Sequence, residues 1–360
     1  MIRTYIYKIK TNAKFIDKFN QWIGTCRFLY NNALELKIML YKGNKVSISN
    51  YDISKQLTEA KKEIPWLKDV HSQTLQAILD RLDNAYKSFF RKKIGFPKFA
   101  SRHKWRSIPF KSIKFQDDKF ILPKFGFVSV FKDRLPEGEL KTASIVRKAD
   151  GYYLHVQIEL ETIENTNENQ VGIDMGVSYF AVTSDNIFIN NPKHLSRYAN
   201  LLRIENRSLA RKVRGSERRK KQVHKLQLLY LKITRVREDF LHKESTKLSK
   251  QYGTIFMENL NIAKMVKDSY FSKNILDCGW SKFKQLLSYK ANVVLVNPAY
   301  TSQICNECGH TAKTNRISQS EFVCINCGNI ENADYNASKN IKCLGKAIMR
   351  QSRTTSPNFA

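Results

Sequence analysis

The sequence has no run of about 18 consecutive apolar residues anywhere along its 360 positions, so none of it reads as a membrane span. Its first residues, MIRTYIYKIKTNAKF, contain neither the continuous apolar core nor the small-residue cleavage site of a secretory signal. A soluble, cytoplasmic protein with no membrane partner is expected. Acidic residues are scarce: 32 Asp and Glu stand against 62 Lys and Arg, a formal charge of +30. An excess of that size repels itself unless a polyanion neutralises it, and nucleic acid is the first candidate. A disordered basic arm is excluded, because 42% of the residues are apolar and 11% aromatic, enough to place the charge on folded domains.

Cysteine is sparse and odd in number. Of the seven, four fall into two tight pairs, which in a reducing compartment favours metal ligation over disulfides. Cys26, Cys278 and Cys343 read as small apolar fillers. The seven histidines show no paired spacing, and no internal repeat is present. The length suggests two or three domains that bury enough surface to need no staple for overall stability.

Residues 2 to 10 alternate like a short strand, after which Ile16, Phe19, Ile23, Cys26 and Tyr30 recur at helical spacing. From about Ser72 to Phe90, Leu75, Ile78, Leu79, Leu82, Tyr86 and Phe89 share one helical face, with Pro65 and Trp66 marking the break before it. The segment RKKIGFPKFASRHKWRSIPF mixes Gly95, Pro97 and Pro109 with clustered cations and reads as a basic connector. Lys98, Arg102, Lys104 and Trp105 within it are candidate nucleic-acid contacts, Trp105 as a base-stacking ring. The period then changes to two. Short runs bounded by Pro, Gly and Asp between about Ser107 and Leu160 suggest antiparallel strands of a small β-barrel.

ETIENTNENQ reads as a linker, and a second, α/β domain begins near Gln170. Between Arg203 and Arg237, thirteen Lys or Arg face two Glu, interleaved with leucines at helical intervals. The pattern predicts a basic helical hairpin interrupted at Gly215. Arg211, Lys212, Arg214, Arg218 and Arg219 are its candidate polyanion contacts. The apolar runs TIFMENL and ANVVLVNPA predict buried strands, and the polar end RQSRTTSPNFA a disordered tail.

Two constellations carry chemistry. Cys305 and Cys308, then Cys324 and Cys327, form two CxxC knuckles that supply four thiolates for a tetrahedral zinc ion. Each is followed by a glycine that permits the tight turn, and a site closed by four thiolates is architectural. Asp174 ends an apolar run between two glycines, Glu258 ends another, and Asp334 sits where a helix should begin. Each acid has an ordinary explanation alone, a turn or an N-cap. Together, on one α/β domain, they suggest a site holding two Mg²⁺ for phosphodiester hydrolysis.

The run Tyr300, Thr301, Ser302, Gln303, the two CxxCG knuckles, Asn315-Arg316 and Ala333-Asp334-Tyr335-Asn336-Ala337 resembles the C-terminal signature of TnpB, the OrfB-type insertion-sequence proteins. Gly172-Ile-Asp174-Met-Gly176, Met257-Glu258-Asn-Leu260, Gly95-Phe-Pro97-Lys98-Phe99 and Cys26-Arg27-Phe-Leu-Tyr-Asn31 match in the same order, so the resemblance covers nearly the whole chain.

The resemblance implies a multidomain α+β protein. A β-barrel wedge domain (1–10 and 105–165) would carry a helical recognition insertion and connector (11–104). A RuvC-like, RNase H-fold nuclease domain (166–299 and 331–347) would be interrupted by a zinc ribbon (300–330) and followed by a disordered tail (348–360). It also implies cleavage of double-stranded target DNA that matches a guide RNA transcribed from the element's end, beside a short target-adjacent motif. Asp174, Glu258 and Asp334 would be the Mg²⁺-binding catalytic triad, the four paired cysteines the Zn²⁺ ligands, and Arg316 a further nucleic-acid contact. Two alternatives are an RNA-guided DNA-binding repressor that no longer cuts and a transposase or accessory protein of transposition. Descendants of the first kind should have lost an acid, and all three are present.

Overall fold

The computed structural model describes residues 1–131, 137–161, 166–268 and 270–354, and the chain divides into two units, Met1–Thr162 and Ile163–Ala360. In the first, β1 (Ile2–Lys8) leads to α1 (Ala13–Asn44), which starts where the Asn12 side chain accepts the Phe15 amide at 2.8 Å. α2 (Asn50–Glu63) and α3 (Ser72–Phe90) follow. Phe19, Trp22, Ile23, Cys26, Leu29 and Tyr30 of α1 are buried in one core with Leu75, Ile78, Leu79 and Leu82 of α3. The sequence reading did not resolve α2 as a helix. Its marker is the capping box between Ser49 and Asp52, but it buries only Ile53 and Leu57, too thin a stripe for periodicity to reveal. Residues 91–106 of the basic connector contain no helix or strand, and its last four residues, Ser107–Phe110, form a strand that includes Pro109.

The strands β2 (Ser107–Phe110), β3 (Lys114–Gln116), β4 (Lys119–Leu122), β5 (Gly126–Val128), β6 (Glu139–Lys148) and β7 (Gly151–Glu159) complete this unit. Where a barrel is expected, the described residues form an antiparallel sheet of order β1-β7-β6-β2 and a second of order β3-β4-β5. A bridge between Ile9 and Val130 joins the segments that follow β1 and β5, and both sheets contribute to the core shared with α1 and α3.

The second unit opens with β8 (Gln170–Asp174), β9 (Tyr179–Thr183) and β10 (Phe188–Asn190). The basic hairpin follows as α4 (His194–Ala210) and α5 (Glu217–Gln251), with Gly215 in the turn. Then come β11 (Thr254–Glu258), α6 (Ile262–Asp268), α7 (Ser272–Cys278), α8 (Trp280–Ser288), β12 (Asn292–Val296), the short pair β13 (Glu321–Val323) and β14 (Ile330–Asn332), and α9 (Ala333–Thr354). The sheet order is β10-β9-β8-β11-β12, with β8, β11 and β12 parallel and β9 and β10 antiparallel to their neighbours. The runs of β8 and β11 are buried as central parallel strands must be, with Val171, Ile173, Ile255 and Met257 inaccessible, whereas β12, expected to be buried, lies at the sheet edge and buries only Val296 fully.

Residues 348–354, expected in the disordered tail, continue α9, while 355–360 lie outside the described residues. The polar composition misled because a helix already held by Ile341 and Leu344 propagates at little cost through polar residues. Of the expected linker, 162–165 lie outside the described residues. No helix among the described residues is long and apolar enough to cross a membrane.

α9 lies on β8 so closely that a Cβ at Gly172 would come 2.1 Å from the Ser338 carbonyl oxygen and 2.6 Å from the Lys342 amide. Backbone cannot yield as a side chain can, so Gly172→Ala is expected to lift the helix and cost about 1–3 kcal/mol or more. Urea unfolding of the variant measures this. Unchanged stability would show that the close approach is not needed.

Candidate active site and metal centre

Asp174 and Glu258 are the last residues of adjacent parallel strands, and the register that sets Met257 opposite Ile173 brings both carboxylates to one end of the sheet. α9 supplies the third. Ser338 and Lys342 lie over Gly172, so Asp334, one turn earlier, falls beside the end of β8. The helix is capped by the Asn332 side chain, which accepts the amides of Asp334 and Tyr335 at 3.0 and 3.1 Å. The capping explanation of Asp334 is thereby removed, and its carboxylate lies close enough to act on that of Asp174.

Burial, with the neighbouring charges of Glu258 and Asp334, pushes the Asp174 carboxyl up from its ordinary 3.8 to about 8, against the opposing effect of Arg316. Burial also raises Glu258 and Asp334. Arg316 pairs with Asp334 at 2.9 Å and donates to the carbonyls of Ser318 and Gln319. Its guanidinium therefore sits within the acidic cluster. Thr301, buried and not singled out in sequence, donates its hydroxyl to Glu258 at 2.6 Å. Its only sequence signal was membership of the run Tyr300–Gln303.

The four paired cysteines gather into one cluster whose ligand atoms all lie within 4.8 Å of one another. The Cys305–Cys327 and Cys308–Cys324 sulfur separations are 3.7 and 3.6 Å. A tetrahedral ion with bonds of about 2.3 Å has edges of about 3.8 Å, so the cage fits a metal ion of zinc's size. Gly309 and Gly328, at φ of 74° and 72°, make the two equivalent turns, their amides donating to the Cys305 and Cys324 carbonyls at 2.9 Å. The backbone N–H of His310 lowers the proton affinity of the Cys308 thiol, while hydrogen bonding with the neighbouring cysteines raises that of Cys327. Asn315, fully buried, ties the knuckles together: its amide donates to the Gln303 and His310 carbonyls, and its oxygen accepts from Ile325.

The expected nucleic-acid contacts divide. Lys98, Arg102, Lys104, Arg211, Arg214 and Arg218 are exposed, and Lys212 is half-buried. Arg219 closes the hairpin turn instead, donating to the Leu209 and Lys212 carbonyls. Trp105 is not a free stacking platform. Its ring packs 5.0 Å from Tyr30 and under the Arg81 guanidinium at 4.9 Å, a core role that its cationic neighbours in sequence concealed.

Three family profiles match: one described as a probable transposase of the OrfB type over residues 154–269, a Cas12f1-like TNB domain over 280–341, and a helix-turn-helix domain over 1–45, where the structure has β1 and the single helix α1. The chain is 33% identical to the putative RNA-guided DNA endonuclease InsQ of Escherichia coli K12, across 97% of its own length and 93% of the relative's. A putative RNA-guided DNA endonuclease of Streptomyces pristinaespiralis is 29% identical, across 96% and 90%. Among solved structures, the mini-RNA-guided endonuclease CRISPR-Cas phi3 superposes with a TM-score of 0.52 at 11% identity, across 96% of this chain and 92% of that one, a likeness of fold alone. These matches place the chain in the class of OrfB-type insertion-sequence proteins. It belongs to the TnpB family.

The sign of the Asp174 effect gives a test. A carboxyl whose proton affinity rises on folding opposes the folded state increasingly as pH climbs from about 4 to about 8. In protein stripped of divalent cations, Asp174→Asn should therefore raise the thermal midpoint, more at pH 8 than at pH 4. Added Mg²⁺ should stabilise the native protein more than the variant. A variant less stable than the native protein at pH 8 without cations would contradict the repulsion.

Proposed function

We propose that this protein is an RNA-guided, metal-dependent DNA endonuclease of a transposable element, cutting guide-matched DNA beside a short target-adjacent motif. The observation that carries the reading is the convergence of Asp174, Glu258 and Asp334 from three elements on one end of a five-stranded sheet, each with raised proton affinity. Folding has concentrated negative charge there in a chain that is otherwise strongly basic, which favours a site built for cations.

The sheet order, with three antiparallel strands followed by two parallel additions, supports an RNase H-like, RuvC-type domain over 166–299 and 331–347, and the cysteine cage supports a structural zinc ribbon over 300–330. By the same reading 1–10 and 105–165 form the wedge domain, 11–104 the recognition insertion. Asp174, Glu258 and Asp334 would hold two Mg²⁺ ions, which when bound supply charge neutralisation of the phosphate, an activated water and a stabilised leaving oxygen. Thr301 fixes one oxygen of Glu258 and Arg316 one oxygen of Asp334, so each carboxylate is oriented with its other oxygen available. Cys305, Cys308, Cys324 and Cys327 would hold Zn²⁺. The exposed cations of the connector and the α4–α5 hairpin support contacts to guide RNA and target duplex, where base pairing reads sequence and the protein reads backbone. Retention of all three acids favours cutting over binding alone, and the relatives named endonucleases match across nearly the whole chain.

The test uses the protein purified with its co-expressed RNA, incubated in Mg²⁺ with a plasmid library that carries a guide-matched target beside randomised flanks. Matched plasmid should be cut only beside one short motif, and a scrambled target left intact. Asp174→Ala, Glu258→Ala and Asp334→Ala should each abolish cutting and keep RNA and target binding. Equal cutting of matched and scrambled targets, or normal cutting by the Glu258 variant, would refute the proposal.

A further inference from the structure

The turn of the α4–α5 hairpin holds a cavity of about 650 Å³ lined by Ile204, Arg207, Arg211, Lys212, Val213 and Arg218 among others. That volume falls within the range of about 300–1,000 Å³ that small-ligand sites occupy. Its apolar part is made by Ile204 and Val213, which are 58% and 76% exposed. Reversing the chain favours Gly, Asn, Asp or Ser at such positions, so two branched aliphatic side chains in water call for a reason other than the turn.

The cavity is pre-formed. Ser216 caps α5 by accepting the Arg219 amide at 3.2 Å, and its hydroxyl donates to the Val213 carbonyl at 2.9 Å. Arg219 reaches back to the Leu209 and Lys212 carbonyls at 2.8 and 3.3 Å. One turn further along α5, the buried Gln222 side chain donates to both the carbonyl and the carboxylate of Glu205. The two helix ends are thus fixed to each other, and a ligand has little left to order.

Charge around the cavity is unbalanced. From Arg203 to Lys221 the acids are Glu205 and Glu217, and each is engaged, Glu205 by Lys225 at 2.8 Å and Glu217 by Lys220. Arg207, Arg211 and Arg218 form no ion pair among the described residues. Arg207 and Arg211 stand four residues apart on α4 and its C-cap, so they share one face. Guanidiniums around an apolar floor suit a nucleotide, whose flat base covers the floor while its phosphates meet the rim. Duplexes keep their bases stacked inside, whereas a folded RNA presents looped-out bases that are already unstacked.

We propose that this cavity seats one unpaired base of the RNA that the protein carries, with the flanking phosphates on Arg207, Arg211 and Arg218. The inference rests on the RNA partner of the proposed function and adds a site and a structural element of the RNA to it.

The test takes the full-length protein with the RNA that co-purifies with it and probes every base with dimethyl sulfate and a carbodiimide. One base that is reactive in the free RNA should be protected in the complex and become reactive again when Ile204→Ser and Val213→Ser are combined. The same double variant should weaken RNA binding about tenfold with an unchanged salt dependence, because it removes one seated base and no phosphate contact. Arg207→Gln with Arg211→Gln should instead flatten the salt dependence, by roughly one or two phosphates' worth of counterions. A readout that needs no variant is 4-thiouridine at the protected position, which should photocrosslink to the turn between Ile204 and Arg218. Native affinity and unchanged base reactivity in the double serine variant, or a crosslink at this turn to target DNA in place of RNA, would overturn the base site and leave the nuclease reading standing. Purified protein that carries no RNA would overturn both.

Discussion

The contact on which the second unit depends is the laying of α9 across β8 at Gly172. With no side chain there, helix backbone meets strand backbone, and the rest of the helix is placed by that touch. Asp334 falls at the strand's end beside Asp174. Two turns of buried amides follow: Asn336 donates to the Ile304 carbonyl and accepts the Asn306 amide, and Asn340 donates to the carbonyls of Thr301 and Ile304. Those bonds fix the start of the cysteine-rich segment to the helix, and with it the Thr301 hydroxyl on Glu258. Ala333 lies in the small core that Cys305, Cys324 and Phe322 form. The cysteine cluster and the acid cluster thus share one scaffold, and a displaced α9 would disturb both.

The energetics of the cluster run against stability, which is why it speaks of function. Three carboxylates brought together with partial burial each hold a proton more readily than a free carboxyl, and a single guanidinium offsets only part of the effect. A fold that needed only stability would place an apolar residue at Asp174, on a strand whose preceding residues are inaccessible. Elsewhere the excess charge has the opposite sign and is mostly in water. The tension is a cluster of acids in a chain of strong net positive charge, the arrangement on which the proposed cation site rests.

What the sequence made legible follows from the range over which each feature acts. The cysteine knuckles and the two long amphipathic helices of the first unit are local patterns, and they appear where the spacing puts them. Asp174 and Glu258 were legible because a carboxylate closing an apolar strand is chemically out of place, and Asp334 because it falls where a helix begins. Thr301, Asn315, Asn336 and Asn340 were not read for what they do, since their roles exist only once distant segments meet. Trp105 and Arg316 show the same limit: a ring or a cation looks unpartnered in sequence until Tyr30 with Arg81, or Asp334, is found beside it. The length of α9 escaped because polar composition says little once packing has nucleated a helix.

The central claim is that the acid cluster cuts DNA through cations it holds against the scissile phosphate. The most direct measurement replaces one nonbridging oxygen of that phosphate by sulfur, one stereoisomer at a time, and compares cutting by the guide-loaded protein in Mg²⁺ and in the more thiophilic Mn²⁺. The account predicts that at least one stereoisomer is cut poorly in Mg²⁺ and is rescued in Mn²⁺, while the all-oxygen target is cut well in both. Full-rate cutting of both stereoisomers in Mg²⁺, or a loss that Mn²⁺ does not rescue, would contradict it.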